Sequence, residues 1–117
     1  MSKILVVDDS KFQRRAIVSE IQKLGHETME AVNGESALEL LAQESFDAMI
    51  TDLHMPIMTG FELLKEIQSK GIQIKSVVLS ADIQKEVVNE VKDLGARGFL
   101  SKPVDSKQLK EILESIL

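Results

Sequence analysis

The chain has 117 residues, enough for one ordinary domain and too few for two. Its 44% hydrophobic and 28% charged residues suit a soluble globular fold with a core, and no apolar stretch reaches the roughly 20 residues of a membrane span. A net charge of −5 without Trp or Tyr argues against a nucleic-acid surface, and the absence of cysteine excludes disulfides, thiolate metal sites and cysteine nucleophiles.

Ile4–Val7 is a short continuous apolar run, as expected of a strand buried on both faces. It is too short for a signal-peptide core, so a cytoplasmic protein is expected. Ser10 then precedes a helical pattern of Ile17, Ile21 and Leu24 that Gly25 closes. His26 begins the next segment as an ordinary surface residue, and Glu27–Val32 makes a second strand. Asn33-Gly34 resembles a hairpin turn, but Ala37, Leu38, Leu41 and Ala42 follow at helical spacing, so a helix is expected there. Ala48–Thr51 is a third strand ending at Asp52. Beyond a loop with Pro56 and Gly60, Phe61, Leu64 and Ile67 space a third helix that stops at Gly71. Ser76–Leu79 is a fourth strand; Ile83, Val87, Val91 and Leu94 mark a helix ending at Gly95. Gly98–Leu100 is a short fifth strand, and Leu109, Ile112, Leu113 and Ile116 line a last helix.

Strands alternating with helices of this length imply crossover connections and a parallel sheet. Five such units suit the flavodoxin-like order 2-1-3-4-5, an α/β (βα)5 sandwich of three layers in one domain over residues 1–117.

In open parallel sheets, ligands bind beyond the carboxyl ends of the strands. Here those ends carry Asp8-Asp9, Asp52, Ser80 and Ser101-Lys102, while the second strand ends blandly at Val32-Asn33. Three neighbouring carboxylates repel one another unless a cation joins them, and hard oxygen donors favour Mg²⁺. Lys102 adds a positive charge able to hold an anion, and a carboxylate among a metal, an ammonium and a hydroxyl is a nucleophile toward phosphorus. Taken singly, each position has a plainer reading: Asp9 or Ser10 capping the first helix, and Asp105 the last. Jointly, at four of five strand ends, capping does not account for them.

With these residues in view, the chain resembles a receiver domain of two-component signalling, in the stand-alone CheY-like form. The resemblance runs from Lys3 to Leu117 and rests on Ile4–Ser10, Asp52–Gly60, Ser80-Ala81 and Phe99–Pro103 in this order and spacing. It implies that Asp52 is the phosphoacceptor for a phosphohistidine on a sensor histidine kinase or phosphotransfer protein. It implies Mg²⁺ held by Asp9, Asp52 and the main-chain carbonyl of His54, with Asp8 acting through water. Ser80 and Lys102 would contact the phosphoryl oxygens, Ala81 would leave access, and the Lys102-Pro103 bond would be cis. Ser80 and Phe99 would form the switch that reshapes the face of the fourth helix, fifth strand and fifth helix, although Phe99 also fits a plain core aromatic. His54 and Asp82 would tune the lifetime of the phosphoryl group.

Such a protein is a phosphoacceptor that promotes its own phosphorylation and dephosphorylation, not a turnover enzyme. An aspartate-nucleophile hydrolase would need an acid/base Asp where His54 stands, and a nucleotide- or flavin-binding module a Gly-rich loop where Asp8-Asp9-Ser10 stands. The chain stops where the fifth helix should finish; if that is the whole protein, output must come from another protein, and a longer chain could instead carry its own output domain. Chemotaxis is one candidate pathway, and Ser80–Gln84 has a weak likeness to receivers paired with CheC- or CheX-type phosphatases. Neither direct nucleic-acid binding nor membrane insertion is expected.

Overall fold

A computed structural model describes residues 2–117. The elements alternate throughout: β1 (Lys3–Val7), α1 (Lys11–Lys23), β2 (Glu27–Ala31), α2 (Gly34–Gln43), β3 (Ala48–Thr51), α3 (Gly60–Ser69), β4 (Lys75–Ser80), α4 (Lys85–Asp93), β5 (Gly98–Ser101) and α5 (Ser106–Ile116). The five strands form one sheet in the order β2-β1-β3-β4-β5, and every pairing is parallel.

Strand side chains alternate between the two faces of the sheet, so the core divides in two. Ile4, Val6, Ala48, Ile50, Val77 and Leu79 pack under α1 and α5, against Ile17, Val18, Ile21, Leu109, Leu113 and Ile116. Leu5, Val7, Met49 and Val78 point the other way, beneath α2, α3 and α4, where they meet Ala37, Leu63, Leu64, Ile67 and Val91. Burial on both faces explains why the central strands read as unbroken apolar runs rather than as alternating ones.

Capping fixes where the helices begin. The Ser10 side chain accepts from the Gln13 N–H, and Asp105 accepts from the N–H groups of Lys107 and Gln108. Asn33 opens α2 with a reciprocal capping box to Ser36, which is why Asn33-Gly34 starts a helix and not a hairpin. The stops expected at Gly25, Gly71 and Gly95 all occur at residues with positive φ.

Several sequence expectations need correction. Ile83 lies outside α4 and is 64% exposed, because α4 begins only at Lys85. Val32 falls beyond β2 and is half-exposed, and β5 runs one residue further, to Ser101. His26 lies partly exposed, and its Nδ1 accepts from the Ser2 N–H at 3.2 Å.

Candidate functional site

The carboxyl ends of β1 and β3 lie side by side, in register from Ile4–Ala48 to Val7–Thr51. The next residue of each strand is therefore an aspartate at the same sheet edge. The Asp52 N–H extends the ladder to the Val7 carbonyl at 3.0 Å, and the Asp8 N–H reaches the Ala31 carbonyl of β2 at 3.2 Å. Asp8 is 1% exposed, the Asp52 side chain 12%, and Asp9 projects into solvent. Asp8, Asp9 and Asp52 each bring a carboxylate oxygen within 4.8 Å of the other two.

Lys102 closes the group from β5. Its N–H donates to the Ser80 carbonyl at 2.9 Å, which seats the residue at the end of β4, and the following Lys102-Pro103 bond is cis as expected. The ammonium donates to Asp52 Oδ2 at 2.7 Å and to Asp8 Oδ2 at 2.9 Å. Burial by itself disfavours this ammonium, but its hydrogen bonds to Asp52 and Asp8, and their charges, reverse the balance. Its pKa consequently lies above the ordinary lysine value. One cation against three carboxylates leaves the pocket with a net negative charge, an environment that draws in a further cation.

The donors present fit a hard divalent ion. All are oxygens, and Mg²⁺ takes only a few carboxylates and completes its shell with water. Asp52 Oδ1 accepts one bond, from the Leu53 N–H at 2.7 Å, while both Asp8 oxygens are engaged, by the Ser10 N–H at 2.9 Å and by Lys102. Asp52 Oδ2 is likewise held by Lys102, so Asp8 and Asp52 each have both oxygens engaged, and Asp9 is the exposed carboxylate of the three.

Ser80 ends β4 at 1% exposure, and its hydroxyl accepts from the Asp82 N–H at 3.2 Å. Ala81 is exposed beside it. His54 and Asp82 come from different loops yet meet, with Nε2 and Oδ2 3.1 Å apart. The His54 ring is 61% exposed and lies edge-on to Phe61, with centroids 6.2 Å apart. Phe99 is partly buried on β5, in register with Val78, and packs against the core under α2, α3 and α4.

The family-model match is to the response regulator receiver domain and extends over residues 4–114. This chain belongs to that family. The receiver is 35% identical to the chemotaxis protein CheY-3 of Vibrio cholerae, over 97% of this chain and 90% of that protein. It is 39% identical to the sensory/regulatory protein RpfC of Xanthomonas campestris over 97% of its own length, but spans only 16% of RpfC. Among solved structures, Vibrio cholerae CheY4 superposes with a TM-score of 0.93 at 34% identity, covering 100% of this chain and 99% of that one. The receiver fold and its place among two-component signalling proteins follow from these matches.

Three residues at this receiver's site escaped sequence reasoning. Gln13 accepts from the Lys102 ammonium through its side-chain oxygen. Arg14 donates from Nη1 to the Asp8 main-chain carbonyl at 2.9 Å. Its signal was available, because Arg14 shares a helical stripe with Ile17, Val18 and Ile21. Gly60 packs so closely that a Cβ there would sit 2.2 Å from the Asp52 carbonyl oxygen. Only the tertiary approach of α3 to the end of β3 reveals that constraint.

Proposed function

We propose that the whole chain, residues 1–117, acts as one receiver in which Asp52 accepts a phosphoryl group from a phosphohistidine on a sensor histidine kinase or phosphotransfer protein. The observation that carries this is the convergence of Asp8, Asp9 and Asp52 within 4.8 Å of one another, with the part-buried ammonium of Lys102 bridging Asp8 and Asp52. A carboxylate oxygen of Asp52 forms the new bond to phosphorus as the donor's P–N bond breaks, and the departing imidazole keeps the electron pair. Asp9, Asp52 and the main-chain carbonyl of His54 would hold Mg²⁺, with Asp8 joined through water. When bound, the ion neutralises charge on the transferring group. Lys102 already touches the acceptor carboxylate and is poised to pair with a phosphoryl oxygen.

Phosphorylation adds charge and acceptor oxygens beside Ser80, whose hydroxyl is held by the Asp82 N–H. Ser80 leaves that contact for the phosphoryl group, and Phe99, partly buried nearby on β5, moves inward in response. The α4–β5–α5 face changes with it and binds an output protein, as a biased two-state equilibrium. The side chains of His54 and Asp82, which pair with each other, would contact the attacking water and so set the lifetime of the phosphoryl group. A CheC- or CheX-type phosphatase is a candidate partner, chemotaxis a candidate pathway, and the cytoplasm the expected location. Among the described residues, no helix is long and apolar enough to cross a membrane.

Incubation with acetyl phosphate, followed by intact mass, tests the reading. One added phosphoryl group, lost with EDTA and absent in Asp52→Asn, is the expected result. An unmodified wild-type protein in Mg²⁺ would refute it.

A further inference from the structure

Beneath the acidic cluster lies a buried cation that the proposed chemistry does not use. α1 turns Arg14 onto its apolar stripe, where the residue is only 8% exposed. A guanidinium cannot give up its proton, so burial there requires partners. Arg14 Nε donates to Glu30 Oε1 on β2 at 2.8 Å, and Nη1 donates to the main-chain carbonyl of Asp8 at 2.9 Å. The Asp8 N–H is itself bonded to Ala31 of the same strand β2. Both polar ends of the Asp8 backbone are therefore referred to β2, one directly and one through the Arg14–Glu30 pair.

The turn is braced a second time. The Arg14 N–H donates to the Ser10 carbonyl at 2.8 Å, and the Ser10 N–H donates to Asp8 Oδ1 at 2.9 Å. Bonds from Arg14 thus close a ring around Asp8–Asp9–Ser10. Asp9 is the exposed member of the three carboxylates, so its aim depends on the backbone that carries it. The carbonyl of Asp8 and the nitrogen of Asp9 share one rigid peptide plane, and fixing the carbonyl fixes the plane from which Asp9 departs.

We infer that Arg14, anchored by Glu30, is a positioning residue that sets the Asp8–Asp9 peptide and so presets the Asp9 carboxylate for a divalent cation. This rests on the reading of Asp8, Asp9 and Asp52 as the Mg²⁺ site. The role is specific to arginine, whose planar fork spans two partners on different elements, whereas a lysine reaches as a single point charge.

The test is Mg²⁺ titration calorimetry on wild type, Arg14→Met, Arg14→Lys, Glu30→Gln and Asp9→Asn, with amide exchange of Ser10 followed in EDTA. Arg14→Met keeps an apolar stem but loses both bonds. It should bind Mg²⁺ at unchanged stoichiometry with a Kd raised on the order of tenfold, the usual effect of removing a group that orients a metal ligand. Arg14→Lys should restore little of this. Ser10 amide exchange should accelerate in the metal-free variant, and saturating Mg²⁺ should restore modification by acetyl phosphate. If Arg14→Met does not fold, Glu30→Gln carries the test, because it weakens the anchor while leaving an acceptor; a raised Kd is again expected. A wild-type Kd and wild-type Ser10 exchange in these variants, beside lost binding in Asp9→Asn, would overturn the positioning role and leave the site reading intact. Reduced stoichiometry at unchanged Kd would also overturn it, marking a merely structural arginine. Equal Mg²⁺ binding by wild type and Asp9→Asn would defeat the site reading, and the inference with it.

Discussion

Replacing Asp9 with Asn should make the metal-free protein more stable while removing its response to Mg²⁺. Asp9 lies within 4.8 Å of carboxylate oxygens on both Asp8 and Asp52. Coulomb's law at that separation gives about 0.9 kcal/mol per pair in bulk water and about 3.5 kcal/mol at an effective dielectric of about 20. Asp9 is solvent-exposed, which favours the lower figure, and the Lys102 ammonium offsets roughly one of the two repulsions. The net relief is about 1 kcal/mol, or about 4 °C in Tm for a domain of this size. Thermal and urea unfolding at neutral pH and low salt, first in EDTA and then in Mg²⁺, would measure it. The order should reverse with metal, because an ion at a hundredfold excess over its Kd adds about 2.7 kcal/mol to wild type alone. If Asp9→Asn is no more stable than wild type in EDTA, the pocket does not store electrostatic strain. Equal Mg²⁺ stabilisation of both proteins would refute Asp9 as a ligand.

Further predictions concern the frame of the pocket. Gly60→Ala should destabilise by about 1–3 kcal/mol and slow the modification of Asp52 by acetyl phosphate. The added Cβ meets backbone atoms, 2.2 Å from the Asp52 oxygen and 2.8 Å from Leu53 Cα, and this clash outweighs the roughly 1 kcal/mol helix preference of alanine. Ile57 is a β-branched residue held at φ 70 with 73% exposure, so Ile57→Asn should stabilise by about 1 kcal/mol in chemical denaturation. Lys102 has a raised pKa in the folded state, so its contribution is complete below the ordinary lysine value and is lost as pH rises through the raised one. In EDTA, the stability gap between wild type and Lys102→Met should therefore narrow on the alkaline side; a gap constant with pH would contradict the pairing.

The sequence by itself determined the architecture of this receiver and the edge of the sheet where its acidic residues and Lys102 gather. Central strands buried on both faces must be apolar throughout, and helices covering them must carry apolar stripes, so alternation was legible from Ile4 to Ile116. Asp8, Asp9, Asp52, Ser80 and Lys102 were legible because parallel strands end together, and polar residues just beyond apolar runs mark that edge. Tertiary structure alone decided the contacts between residues far apart in the chain. The Lys102 ammonium bridges Asp8 and Asp52, and His54 meets Asp82 across two loops. Gly60 abuts the Asp52 backbone, and Ile83 is left in a loop that its helical spacing would have placed in α4. Periodicity reports which face of an element is buried. It carries no information about what a side chain meets there, so Arg14 could be seen on an apolar stripe, but not its hold on the Asp8 carbonyl.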